Sequence, residues 1–172
     1  AIDQWYQARD AAAFRLGDPN ERERILRAWF AAHPSTDSKW TLGSFLMSNS
    51  SNSAEGFALL EELSREQNHP VNMVRLRSRL AEGYIEEHQL KKAQVLLNEA
   101  RAIIPREFGR FRSNVIGYWS VRGEMEYHKT QARLLIRQGH FDASVDEAKT
   151  AQAKGLELRK WENLVSARQV QY

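Results

Sequence analysis

Seven residues between Leu80 and Pro105 constrain this chain more than anything else in it. Leu80, Ala81 and Tyr84 share one helix face, Ala93, Leu97 and Ala100 share another, and Pro105 closes the run. Small side chains at Ala81, Ala93 and Ala100 let two antiparallel helices approach closely, while Leu80, Tyr84 and Leu97 fill the groove beside the contact. Residues 74–105 therefore read as a helix-turn-helix hairpin with its turn at His88-Gln89-Leu90.

The same order of residue types recurs. Ala132, Leu135, Gly139, Phe141, Ser144, Ala148 and Ala151 repeat it over residues 125–156, with Gly139-His140-Phe141 at the turn. A weaker copy spans residues 36–66, where Leu42-Gly43 and Leu46 stand for the first helix and Gly56, Leu60 and Leu63, shifted by one residue, for the second. Residues 3–34 have hairpin character but fit the pattern poorly and suit a divergent cap. These residues resemble the tetratricopeptide repeat, which places large, small and aromatic residues on one helix, small, large and small on the next, and a Pro at the exit. The resemblance implies an all-α fold: antiparallel helix-turn-helix repeats stacked as a short right-handed α-solenoid, a single domain over residues 1–172 with a terminal helix at 156–170. The chain departs from the regular unit of about 34 residues. Its two clear copies begin at Val74 and Met125, 51 positions apart, so a first-type helix is extended or preceded by an extra turn. The closing Pro is replaced by Leu156 in the last copy.

Helical signals cover most of the remaining chain. Trp5, Ala8, Ala12 and Leu16 form an amphipathic stripe over residues 2–16. Asp18 then caps a helix with Pro19 in its first turn, which buries Ile25, Leu26, Trp29 and Phe30 and ends before Pro34. A short helix over residues 39–48, carrying Trp40, Leu42, Phe45 and Leu46, follows, and a Ser/Asn run leads to another capped by Ser53. A long helix is expected over residues 113–138. Its partner spans 142–154, is closed by Gly155, and is followed by a separate last helix, for about nine in all.

At 172 residues the chain is long enough for a sizeable core, and its 42% apolar and 27% charged content is that of an ordinary globular protein. No apolar run approaches the ~18–20 residues that cross a bilayer. The complete lack of Cys excludes disulfides, thiolate metal sites and cysteine nucleophiles. The formal charge of +3 is a mild excess, more typical of a solvated surface than of a nucleic-acid footprint. Beginning at Ala1 without Met or an apolar leader, the sequence suits a fragment of a longer protein or an exported, periplasmic chain after signal removal; the cytoplasm stays open as well.

Catalytic signatures are missing. His33, His69, His88, His128 and His140 are scattered, and no metal-binding, nucleophile-elbow or phosphate-loop motif occurs. The sequence thus implies no enzyme, no cofactor and no metal. By the resemblance, the first helix of each pair lines a concave wall. It would carry Arg75, Arg79, Glu82 and Glu86 in one repeat, Glu126, Lys129, Arg133 and Arg137 in the next, and Trp40, Ser44 and Met47 in the weak copy. Such a wall would take an acidic peptide or protein. The simpler reading is that these charges satisfy one another within helices, Arg79 with Glu82 and Glu126 with Lys129.

Other features leave further readings open. A regulatory or ligand-sensing module of a larger enzyme or transcription regulator would show a pocket beside Trp119. Arg106-Glu107-Phe108-Gly109-Arg110-Phe111-Arg112 interleaves cations and rings as single-stranded nucleic-acid binding requires, but the simpler reading is an inter-repeat loop whose Phe residues plug the core while its Arg residues stay wet. Trp5, Trp29, Trp40, Trp119 and Trp161 are core fillers or partner hot spots. Leu156, Leu158, Trp161, Leu164 and Val165 need a cover, which a homodimer or continuation into a larger chain would supply.

Overall fold

The computed structural model describes residues 2–49, 52–107 and 115–169, with side chains left undescribed at 105–107, 115–116 and from 161 onward. All regular structure within it is helical: α1 (Ile2–Leu16), α2 (Pro19–Ala32), α3 (Thr36–Met47), α4 (Ser53–Glu66), α5 (Pro70–Glu86), α6 (Leu90–Glu107), α7 (Val115–Arg137) and α8 (Phe141–Gln169). The helices group into two compact units, Ala1–Glu66 and Gln67–Tyr172, and each is taken here by itself.

Consecutive helices pair as antiparallel hairpins, and in each hairpin the polar contacts that cross it run in opposite chain directions. In the first unit Asp18 caps α2 by accepting from the Glu21 amide at 2.9 Å, ahead of Pro19 in the first turn. Arg22 clasps Asp10 of α1 through two bonds, and Arg27 holds Glu55 of α4 in the same bidentate way. At the α1–α2 end, Asp3 Oδ1 accepts from Trp29 Nε1 and meets His33 Nδ1, both at 2.7 Å. Leu26, Trp29, Leu42 and Leu46 form the core, with Tyr6, Phe30, Phe45 and Leu59 packed around them.

Helices α3 and α4 touch backbone to backbone. A methyl group at Gly56 would lie 2.2 Å from the Met47 amide nitrogen and 2.8 Å from the Gly43 carbonyl oxygen, and one at Gly43 would press on Leu60. Lys39, almost wholly covered, reaches across this close contact to Glu62 and Glu66. Burial pulls its ammonium down, but the two carboxylates outweigh that and hold it above the usual lysine range.

In the second unit the helices repeat a pattern at a fixed interval. His88 has φ +58° and Gly139 φ +82°, the left-handed conformation that closes a helix. The amides of His88 and Gln89 bond Ile85 and Tyr84 at 3.1 and 2.8 Å; those of Gly139 and His140 bond Ile136 and Leu135 at 3.1 and 2.9 Å. Every member of the second set lies 51 positions after its counterpart. Ala81 and Ala93 are wholly buried in the α5–α6 hairpin, and Ala132 and Ser144 are buried in the α7–α8 hairpin. Helix α7 packs against α5 and α6 as well as α8. It has 23 residues to the 17 of α5.

Two expectations are corrected. Eight helices, not nine, cover the described residues, because α8 runs unbroken through Gly155 instead of ending there. A mid-helix Gly costs about 1 kcal/mol relative to Ala. Here it lies against α7, where its missing Cβ would stand 3.6 Å from Met125 Sδ, and the packing of the two helices carries α8 past it. The last-helix apolar set also divides: Leu158 is buried, Leu156 is exposed, and the side chains of Trp161, Leu164 and Val165 lie outside the described residues.

Three outcomes follow from this packing. Gly56→Ala forces backbone apart and should cost about 2–3 kcal/mol in urea unfolding, despite the better helix propensity of Ala. His88→Gly relieves a left-handed side chain and should add about 0.5–1 kcal/mol in the same assay. The hydrogen bonds from His33 and Trp29 hold the Asp3 carboxyl below its ordinary range. Its contribution is therefore present above the unfolded carboxylate pKa and lost as pH falls through the folded one. Thermal melts across the acid range should show that decline in the native chain, with the Asp3→Asn variant lacking this component.

Candidate functional site

The charged residues singled out on α5 and α7 do meet. Arg75 Nε donates to Glu126 Oε2 at 3.1 Å, and Arg133 Nη1 donates to Glu82 Oε1. Both pairs join residues 51 positions apart. Two cross-links with one common offset require α5 and α7 to run parallel, side by side and in register.

Each carboxylate serves several cations. Glu82 also accepts from Arg79 Nη1 at 2.6 Å and has Lys129 Nζ at 3.9 Å, while Glu126 accepts from Arg122 Nε at 3.1 Å. Five cations therefore stand around two carboxylates. Arg137, one turn beyond Arg133, is exposed on the same helix, and so is Glu86 at the end of α5. Arg75 and Arg122 both lie over the Trp119 ring, their guanidinium carbons 4.9 and 5.4 Å from its centroid. Burial lowers the Arg122 guanidinium, but Glu126 and Tyr118 more than offset this and hold it above its ordinary value.

The expected Arg79–Glu82 pair within α5 is present. The expected Glu126–Lys129 pair is not: Glu126 is taken by Arg75 and Arg122, and Lys129 turns toward Glu82. Trp40 lies on α3 in the other unit and is half-buried there, beside half-buried Ser44 and a Met47 that belongs to that unit's core. Trp29 is fully buried, whereas Trp5 and Trp119 are exposed. Segment 106–112 and Trp161 lie outside the described side chains. Arg122 was missed from sequence, although its place four residues before Glu126 on one helix face is the signal that could have found it.

An open groove of about 650 Å³ runs between α7 and α8, lined from α7 by Tyr118, Arg122, Met125 and Lys129 and from α8 chiefly by Ala151, Gly155, Leu156 and Arg159. Among the described residues no cluster of His, Asp and Glu could hold a metal ion, and no helix is long and apolar enough to cross a membrane. No protein-family model matches the chain, and no curated protein or solved structure matches it.

The cluster predicts its own salt response. Glu82→Gln leaves Arg79, Lys129 and Arg133 repelling one another and should cost about 1 kcal/mol in urea unfolding at low salt. Added salt should shrink that difference, since screening weakens the repulsion.

Proposed function

We propose that this chain is a recognition module of tetratricopeptide-like construction, in which α5 and α7 are successive wall helices of a short solenoid and bind an acidic segment of another protein. The observation that carries the reading is the gathering of cations on the α5/α7 face. Arg75, Arg79, Arg122, Lys129 and Arg133 gather around Glu82 and Glu126, with exposed Arg137 one turn further along α7 and an exposed indole beside them. A carboxylate-rich peptide laid along this face would meet these cations through guanidinium forks and could rest an apolar side chain on Trp119.

Support for the repeat construction comes from the common 51-residue offset of turns and cross-links, and from α7 packing on both α5 and α6. The reading as a ligand-sensing module of a larger enzyme or regulator has less behind it. Trp119 is engaged by Arg75 and Arg122 and does not line the open groove between α7 and α8.

The test is fluorescence anisotropy with a labelled Glu-rich decapeptide in extended form and its Gln counterpart. The Glu peptide should bind, weaken as salt is raised, and lose at least tenfold affinity to the Arg79→Ala/Arg133→Ala double variant. Equal affinity for both peptides, or an unaltered double variant, would overturn the assignment.

A further inference from the structure

The α5–α6 hairpin shows what the α7–α8 hairpin is shaped to receive. On α5, Val71, Val74 and Ser78 are buried within the second unit, in which α7 lies against both α5 and α6. Their counterparts 51 positions later are Arg122, Met125 and Lys129, and these line the open groove. Wholly buried Leu97 on α6 likewise corresponds to exposed Ala148 on α8. The second hairpin thus offers the same kind of helix-width channel, but among the described residues no helix fills it.

The lining defines an occupant. Its floor is apolar and shallow: Met125 approaches Gly155 as closely as a Cβ would permit, and Leu156 is exposed beside them. Its rims are cationic, with Arg122 and Lys129 on one side and Arg159 on the other. Lys129 is more than half exposed, and its 3.9 Å contact with Glu82 is loose enough to exchange. From Tyr118 to Lys129 the lining face of α7 extends about 16 Å, three helical turns. We infer that this groove docks a single amphipathic helix of a partner protein, with small and apolar residues on its inner face and Asp or Glu along both flanks. The partner helix lies along α7 as α7 lies along α5, and its carboxylates pair with Arg122, Lys129 and Arg159. The site shares Arg122 and Lys129 with the α5/α7 cluster but does not depend on that face binding anything.

The probe is a fluorescein-labelled stapled peptide of about 18 residues, roughly 27 Å long, with Ala and Leu at i, i+3, i+4 and i+7 and Glu on both flanks. A peptide with Lys in place of Glu is the control. The acidic helix should bind the full chain at least tenfold more tightly than the control. Leu156→Glu with Arg159→Glu, two exposed positions, should abolish that binding, while Arg133→Glu on the other face should change it less than threefold. Because the chain has no Cys, a nitroxide on Gln152→Cys should broaden peptide resonances only when the peptide occupies this groove. Retained binding in the Leu156/Arg159 variant, loss in Arg133→Glu instead, or no broadening would overturn the inference. So would sedimentation showing that the groove is filled by a second copy, with a dimer that Leu156→Glu dissolves and no affinity for the peptide.

Discussion

The organisation of both units depends on how closely two helices of a hairpin can approach. Ordinary side chains keep helix axes about 8–10 Å apart, and glycine or alanine at the crossing allows the near limit. Gly56 goes furthest, since its missing side chain is what lets α4 rest on the α3 backbone. Once that contact forms, the large residues one turn away have no choice but to interlock: Leu42, Leu46, Leu60 and Leu63 are all buried, as are Leu80, Tyr84 and Leu97 around Ala81 and Ala93. The close approach also brings long polar side chains within reach across the hairpin. Lys39 on Glu62 and Glu66, Arg77 on Glu99, and His128 on Glu147 are consequences of the crossing as much as supports for it.

Between hairpins the coupling has a different character. Helices α5 and α7 are joined along one face by carboxylates shared among several cations. An exposed ion pair contributes little alone, because two long side chains must be ordered to make it. Here Glu82 and Glu126 are each fixed once and used by several partners, and the Trp119 ring restrains two of the guanidinium groups. The price of ordering is spread over the cluster, and the result is a face on which cations gather around shared carboxylates.

Much of this was legible in the sequence. Helix placement followed apolar periodicity, the Asp18-Pro19 start and the left-handed turn at Gly139 were readable from residue chemistry, and the 51-residue offset could be counted. The capping box of Ser35 and Ser38 was not read, because a Ser at the third helical position replaces the usual Glu or Gln, and α3 consequently begins earlier than periodicity suggested. Gly155 was misread as a stop because local propensity cannot register the neighbouring helix that carries α8 through it. The charged positions on α5 and α7 were identified, but their partners were sought three or four residues away. Partners on a neighbouring helix are invisible to local spacing, and only the repeat offset, applied to charge as well as to apolar residues, would have matched Arg75 with Glu126 and Glu82 with Arg133.

The two hairpins of the second unit also explain how a docking channel can stay open without harm. If α7 carried Val and Ser where α5 does, the groove would be a continuous apolar strip, and such strips promote association. Arg122 and Lys129 stand in those places, and Ala148 presents little more than a methyl group where α6 has Leu97. The cations keep the channel hydrated and repel a neighbour with the same basic surface, yet their aliphatic stems still cover the floor. Filling the channel therefore requires both a complementary helix and the opposite charge. A groove with that double requirement discriminates among partners in a way a purely apolar strip would not.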